Sequence, residues 1–384
     1  MHDLIQRISD KFRARFGTAP LLVMSPGRVN LIGEHTDYNE GFVLPAATDR
    51  AVVFAVTPRQ DTICHFISYD YGQEFRCDIH ELGRSPLRWP DYLEGVIDQF
   101  VRNGYPVRGF QCLFGGNIPI GAGMSSSAAI EGGLAFALNE MFRLKIDSLT
   151  LVKLAQKAEN EFVGVRCGIM DQFINIHGRE KKVLKLDCRS LAYEYFPFER
   201  PDLRIVVCDT LVRRELASSE YNVRRRQCED GVGVLKKFAP GIRSLRDVDI
   251  RFLEEHRAEL DPVVYRRCDY VIRENIRVEE ACRDLVTGDF KSFGERMGAS
   301  HAGLRDGYEV SSPELDALVE AAAKVAGVLG ARMMGAGFGG CVISLVEEGA
   351  VPELRERVSR DYQAAFGRTP NIHVIRIEAG THVV

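Results

Sequence analysis

Leu4, Ile5, Ile8, Phe12 and Phe16 recur at close to the helical period, so residues 3–16 are predicted to form an amphipathic helix. The run LLVM (21–24) is short and continuously apolar, the mark of a buried strand. RAVVFAVT (50–57) and TICHFISY (62–69) read as the two arms of a β-hairpin. A helix follows from Trp89 to Val101. FQCLFGGNI (110–118) is a strand that runs into a glycine-rich loop, and Ser125 to Phe142 form a long alanine-rich helix with serine capping at its start. Residues 150–163 are a further helical stretch with an acidic outer face. Residues 167–176 read as a loop entering a helix, with Asp171 near its beginning. KKVLKLD (181–187) and RIVVCDT (204–210) are strands. From about 211 to 310 the pattern is helical and charge-rich, and beyond it helices alternate with strands such as GCVISLV (340–346) and NIHVIRI (371–377). The composition shift after Thr210 divides the chain into two expected domains, 1–210 and 211–384, of α+β class.

Length agrees with that division, because 384 residues are too many for one ordinary core. With 45% hydrophobic and 27% charged residues, the chain has the balance of a globular protein. A net charge of −4 argues against nucleic acid or an anionic membrane as partner, so an anionic nucleotide would need a local pocket rich in N–H groups. Ten cysteines are scattered without a single C-x-x-C pair, which suits reduced thiols in the cytoplasm better than a disulfide scaffold or a zinc site. Residues 1–17 spread their charges evenly and do not read as a signal peptide, and no apolar run approaches membrane-spanning length.

The densest chemistry lies in SPGRVNLIGEHTDY (25–38), where Arg28, Asn30, Glu34, His35 and Asp37 crowd among glycines and small apolar residues. Carbohydrate hydroxyls need convergent carboxylates, an imidazole and a guanidinium to fix their direction, and this run supplies all of them. GGNIPIGAGMSSS (115–127) follows a strand and opens a helix. Its glycines let backbone approach an anion, and the helix N-terminus adds partial positive charge. The three serines either cap the helix, contact phosphate oxygens or coordinate Mg²⁺. No Walker motif and no protein-kinase H-R-D or D-F-G element occurs. MGAGFGG (334–340) contains the letters of a dinucleotide fingerprint, but a strand follows it rather than a helix, which counts against that reading. A tight turn or a second wall for the nucleotide remains.

Glu159 alone reads as a surface acid. Asp171, between Met170 and Phe173, reads either as a helix N-cap or as a directed carboxylate. A kinase needs one carboxylate to orient an acceptor hydroxyl and another to hold Mg²⁺. Arg28, flanked by Gly27 and Val29 beside a buried strand, has few routes to solvent and is a suitable partner for such a carboxylate. In ELASSEYNVRRRQCE (215–229) the arginines 224–226 are expected on a solvated helical face, and Tyr221 is either core or site.

Taken together, GRVNLIGEHTDYNEG (27–41), PIGAGMSSSAA (119–129), AENEFVGVRCGIMDQF (158–173), SSEYNVRRRQCE (218–229), HAGLRDGYEVSSPELD (301–316) and MGAGFGGC (334–341) resemble the galactokinase family of the GHMP kinase superfamily, over nearly the whole chain. The resemblance implies a two-domain GHMP kinase fold: an N-terminal domain of mixed sheet and helices, a C-terminal ferredoxin-like layered domain, and an active site between them. It implies ATP-dependent phosphorylation of α-D-galactose at the C1 hydroxyl, the entry step of galactose catabolism, by a cytoplasmic monomer. By motif position Glu34, His35, Thr36 and Asp37 would bind the sugar, helped by Gly168 and Tyr221. Asp171 would be the catalytic base, with Arg28 stabilising the transition state. Gly121, Ala122, Gly123, Met124, Ser125, Ser126 and Ser127 would wrap the phosphates of ATP. Ser127 and Glu159 would hold Mg²⁺, and Ser68 and Trp89 would border the adenine. One departure is Thr48, where the family pattern has isoleucine. Alternatives within the resemblance are a kinase for N-acetylgalactosamine or arabinose and a non-catalytic sugar sensor; retention of the serines and Asp171 favours the enzyme.

Overall fold

Periodicity becomes packing first at the N-terminus. Helix α1 (His2–Phe16) buries Leu4, Ile8 and Phe12 against Val53, Ala55, Ile67 and Leu113 and ends at Gly17, which takes the left-handed conformation that closes a helix. The structure, a computed structural model, describes residues 1–119, 123–212 and 217–384. In chain order the elements after α1 are β1 (Leu21–Asn30), β2 (Phe42–Val43), β3 (Pro45–Pro58), β4 (Ile63–Ser68), β5 (Gln73–Asp78), α2 (Trp89–Arg102), β6 (Phe110–Gly116), α3 (Ser126–Phe142), α4 (Ser148–Lys157), α5 (Met170–His177), β7 (Lys182–Asp187) and β8 (Tyr193–Pro197). The second half holds β9 (Leu203–Asp209), α6 (Ala217–Leu235), α7 (Ile250–Glu255), α8 (Pro262–Thr287), α9 (Phe290–Ala302), α10 (Pro313–Ala323), β10 (Val328–Met334), β11 (Cys341–Glu347), α11 (Val351–Phe366), β12 (Asn371–Ile375) and β13 (His382–Val383).

Six strands form the first sheet in the order β13-β1-β3-β6-β4-β5, and β2-β7-β8 make a small sheet beside it. The expected hairpin between 50–57 and 62–69 does not form. Strand β6 inserts between β3 and β4, pairing antiparallel with the first and parallel with the second, while β4 finds its hairpin partner in β5. The two segments are strands, as their alternation implies, but periodicity carries no information about which strand lies alongside. Helix α3 lies under β1 and β3. Its small residues, among them Ala128, Ala129, Gly132 and Gly133, are buried and let the helix approach Ser25 and Phe54 closely.

The second sheet is antiparallel with the order β10-β11-β9-β12. Its path, strand, helices, hairpin, helix and strand, is the ferredoxin-like arrangement. Both faces are covered. Ile205, Val207, Ile343 and Leu345 join the main core, whereas Val206, Cys208, Val342 and Val346 pack with Leu318, Leu354 and Tyr362 on the other side. One apolar core therefore runs without interruption from the first sheet into the second. Strand β9, just ahead of the division expected at residue 210, is an inner strand of the second sheet, and we propose the division a few residues earlier, ahead of Leu203. Strand β13 returns to the first sheet, pairing with Val23 and Met24.

Helix α9 touches β10 backbone to backbone. A Cβ on Gly294 would overlap the Leu329 carbonyl, whereas one on Gly298 of the same helix meets nothing. In urea titrations Gly294→Ala is expected to lose about 3 kcal/mol or more, by forcing helix and strand apart. Gly298→Ala, on the exposed face, is expected to gain up to about 1 kcal/mol.

Candidate active site

Strand β1 changes register between Pro26 and Arg28, and this bulge turns Arg28 inward. Its guanidinium donates from Nε to Asp171 Oδ1 at 2.7 Å and from Nη2 to Oδ2 at 2.9 Å, a two-pronged pair. Nη1 donates to the Gly123 carbonyl, and the Arg28 amide donates to the Met124 carbonyl at 3.1 Å. The same side chain thus grips both Asp171 and the phosphate loop. Burial works against the Arg28 charge, but Asp171 and Glu34 more than offset it, and its pKa is raised. Asp171 sits in the first turn of α5, two places past the N-cap position held by Ile169, so the capping alternative does not apply. Its side chain is 27% exposed, against 6% for Arg28. Ser125 does not cap α3; its hydroxyl donates to Asp171 Oδ2 instead.

Two cavities meet at this pair. The first, about 190 Å³, is lined by Arg28, Glu34, His35, Asp37, Glu159, Gly168, Asp171 and Tyr221, among others. Glu34 is buried, and its Oε1 accepts from Gly335 N at 2.9 Å and Arg332 Nη2 at 3.1 Å. Asp37 packs on Gly168, where any Cβ would overlap its carboxylate. Burial, followed by the charge of Asp171, pushes the Asp37 carboxyl up to about 7, so it is poised to accept or donate near neutral pH. Tyr221, on α6, packs its ring 5.5 Å from His35 and 5.1 Å from Tyr38.

Two members of the expected sugar set behave differently. Thr36 turns its hydroxyl away from the cavity, to the carbonyls of Phe42 at 2.6 Å and Gly33 at 3.0 Å, and so braces the loop. His35 lines the cavity, but its nitrogens are engaged within the protein. Nδ1 meets the Tyr38 hydroxyl at 2.7 Å and Nε2 the Ala336 carbonyl at 3.2 Å, which makes Nε2 the protonated nitrogen. Burial first, then Arg224 and Arg332, push its pKa down to about 3 against the raising effect of the Ala336 bond. Thr48 bonds the Arg50 backbone and lines neither cavity.

The second cavity, about 390 Å³, shares Arg28, Gly335 and Ala336 with the first. Its walls are Gly123, Met124, Ser125, Ser126 and Ser127 on one side and Met334 to Gly340 on the other. Gly335, Gly337, Phe338, Gly339 and Gly340 all have positive φ, which turns the loop between β10 and β11 tightly over the cavity. A strand follows this loop, as the sequence pattern requires, so the dinucleotide arrangement is absent. Gly121 and Ala122 lie outside the described residues. Ser68 and Trp89 do not reach this cavity. Trp89 packs in the core against Phe75 and Phe114 and donates to Gln73 at 2.8 Å, and Ser68 accepts from the Tyr71 amide. Tyr92, one turn along α2, is the residue that lines the wall.

Between the cavities, α4 runs into a π-helical turn, Ala158–Val163, that turns Glu159 inward. Ser127 hydrogen-bonds Glu159, and Gln172 Nε2 donates to Glu159 at 2.7 Å and Glu131 at 3.1 Å. Burial and then Asp171 raise the Glu159 pKa, and burial and then Glu159 push that of Glu131 well above the ordinary carboxylate range. Among the described residues no group of three or more His, Cys, Asp or Glu side chains is arranged to hold a metal unaided. A hydroxyl and a carboxylate, both hard oxygen donors beside a phosphate-sized cavity, are nevertheless what Mg²⁺ takes from a protein when nucleotide oxygens and water complete its shell. The residues present fit that ion.

Several contributors escaped the sequence reading. Glu131 sits amid AAIEGG on a helix and carries no local signal. Arg332 lies in an apolar strand, where an arginine is itself an anomaly worth pursuing. Arg224, expected on a solvated face, is buried and donates to the carbonyls of Tyr308 and Glu309 at 2.9 and 2.8 Å. Arg226 is exposed, as expected. Among the described residues no helix is long and apolar enough to cross a membrane, and no disulfide forms.

A phosphate loop at a helix start, faced by a glycine turn and joined to a polar cavity through an arginine–carboxylate pair, defines a small-molecule kinase of the GHMP type. The family models for the GHMP kinase N-terminal and C-terminal domains match residues 91–179 and 278–364. The chain belongs to the galactokinase family. The galactokinase galactose-binding signature matches residues 10–58. The galactokinase of Roseiflexus sp. (strain RS-1) is 44% identical over 97% of this chain and 95% of its own. That of Clostridium perfringens (strain SM101 / Type A) is 40% identical over 98% of each. The crystal structure of Lactococcus lactis galactokinase complexed with galactose superposes with a TM-score of 0.95 at 36% identity, covering 99% of both chains.

Gly168→Ala is expected to displace the Asp37 carboxylate and weaken galactose binding at least tenfold by calorimetry, with little change for a nucleotide. A second outcome concerns acid. His301 is buried, and burial, then Arg305 and Arg332, push its pKa down to about 4. His35 and His301 therefore stay neutral in the fold while the unfolded chain charges its histidines below about 6.5. Their stability contribution is intact above that pH and is lost as pH falls toward 4, by up to about 1.4 kcal/mol per pH unit for each. Urea midpoints measured from pH 7 to 4.5 should fall, and fall less steeply in His301→Gln.

Proposed function

We propose that the cleft transfers the γ-phosphoryl group of ATP to the C1 hydroxyl of α-D-galactose, giving α-D-galactose 1-phosphate and ADP, as the entry step of galactose catabolism. The observation that carries this reading is the Arg28–Asp171 pair standing where the two cavities join. A hydroxyl seated in the polar cavity meets Asp171, and a terminal phosphate in the glycine-walled cavity meets Arg28. Glu34, Asp37, the backbone at Gly168 and Tyr221 orient the hexose. His35 and Thr36 act behind them, holding the loop that carries both acids.

Asp171 aligns the acceptor hydroxyl along the transfer axis. Because the transition state is loose, the proton moves late, and Asp171 takes it as the new O–P bond forms. Arg28 fixes the Asp171 carboxylate with two bonds and offers its charge to the moving phosphoryl group. The serines at the start of α3 and the backbone of 335–340 hold the phosphates. Ser127 and Glu159 would hold Mg²⁺, whose charge, when bound, offsets that of the β- and γ-phosphates. The protein acts as a monomer on this reading, and eight of the ten cysteines are buried as free thiols, which supports a reducing cytoplasm.

A sugar panel run with ATP and Mg²⁺, with ADP release as readout and product position assigned by NMR, tests the reading. Galactose turned over at C1 far ahead of N-acetylgalactosamine and arabinose is the expected result. Nucleotide binding without turnover of any sugar would leave only a sensor. Asp171→Asn is expected to lower kcat by about 10²–10⁴ with little change in galactose affinity. Arg28→Ala is expected to lower kcat by about 10³, with circular dichroism to confirm the fold.

A further inference from the structure

Arg332 heads the described side chains that are wholly buried, ranked by size. It sits in β10 among buried Ala331, Met333 and Met334, where an aliphatic residue would fill the strand without removing a cation from water. Every guanidinium nitrogen has an acceptor. Nε donates to the Leu31 carbonyl and Nη1 to the Met333 carbonyl, both at 2.8 Å, while Nη2 donates to the Asn30 carbonyl and, at 3.1 Å, to Glu34 Oε1. Three of these four acceptors belong to residues 30–34, in the other half of the protein. Glu274 on α8 supports the same segment by accepting from Gly33 N at 2.9 Å, and the Tyr270 hydroxyl donates to the Glu34 carbonyl at 3.1 Å. The galactose motif is thus held by side chains of the second half.

The oxygen of Glu34 that Arg332 holds also accepts from Gly335 N, three residues further along the same chain segment. The next motif residue, His35, donates to the carbonyl of the next loop residue, Ala336. Gly335 and Ala336 line both cavities. With two donors on Oε1 the Glu34 carboxylate is fixed in plane, and its other oxygen is left to the sugar cavity. A group bound there and a nucleotide bound under the loop therefore act on the same two backbone residues.

On the reading that this cleft binds galactose beside ATP, we propose that Arg332 is a positioning residue that makes the two binding sites cooperative, by locking Glu34 to the Gly335–Ala336 backbone. A hexose that loads Glu34 stiffens the loop before nucleotide arrives, and nucleotide under the loop returns the effect to Glu34; the coupling is reciprocal by linkage. A purely space-filling Arg332 would lower stability when replaced and leave the ratio of affinities untouched.

The experiment measures galactose affinity of the full chain by calorimetry, with and without the ATP analogue AMP-PNP and Mg²⁺, in the wild type, Arg332→Lys and Arg332→Met. Lysine keeps the charge but cannot serve four acceptors, so it is the variant expected to fold. In the wild type the analogue should tighten galactose at least about fivefold, and galactose should tighten the analogue by the same factor. In Arg332→Lys that factor should fall toward one while both ligands still bind singly, and Arg332→Met, where it folds, should abolish it. No coupling in the wild type, or full coupling in Arg332→Lys, overturns the proposal. A wild type that binds AMP-PNP but not galactose would instead overturn the hexose assignment, and the coupling would then be read with the panel sugar that does bind.

Discussion

The guanidinium of Arg28 reaches Asp171 with two parallel hydrogen bonds, and it can do so only because β1 slips register between Pro26 and Arg28. An unbroken strand would send this side chain elsewhere along the sheet. The bulge also brings the strand against the phosphate loop, since Arg28 holds the backbone at both Gly123 and Met124. One irregularity of one residue therefore sets the distance between the group that meets the acceptor hydroxyl and the loop that meets the phosphate.

Around that pair the cleft concentrates acids. Glu34, Asp37, Glu131, Glu159 and Asp171 all lie within it or immediately behind it, in a protein of modest negative charge. Each is answered differently. Glu34 has Arg332, Asp171 has Arg28, and Glu131, its pKa pushed up by burial and then by Glu159, shares Gln172 with Glu159. Among the described residues no arginine is in hydrogen-bonding contact with Asp37, and burial followed by Asp171 pushes its carboxyl up to about 7. Burial and then Asp171 push the Glu159 carboxyl up, and a divalent cation beside it would offset that cost to its charge.

What the sequence made legible was chemistry held in short runs. The motif at 27–41, the serines at 125–127 and Asp171 stood out as candidates because unusual polar groups clustered where structure alone has no need of them, whereas Glu159 reads alone as a surface acid and enters only through the family motif. Pairing at long range was not readable. Strand β6 lies more than forty residues from the segments it separates, and nothing in alternating hydrophobicity announces it. Single buried polar residues were also hidden: Glu131 and Arg224 look like ordinary helix positions, because the groups that satisfy them come from distant parts of the chain. Ser68 and Trp89, expected beside the adenine, line neither cavity among the described residues; Ser68 accepts from the Tyr71 amide and Trp89 packs against Phe75 and Phe114.

Strand β13 adds the outer member of the first sheet, and Thr381, just before it, bonds Ser25 and Asn175 in the layer beneath. Strand β9, by contrast, crosses early into the second sheet. The chain is thereby laced back and forth between its halves, and the first sheet is finished only by residues some 350 positions downstream of those that begin it. Such a molecule has high contact order and no fragment boundary at which it comes apart cleanly. Neither half has a complete surface of its own, so the cleft exists only when both halves are folded together.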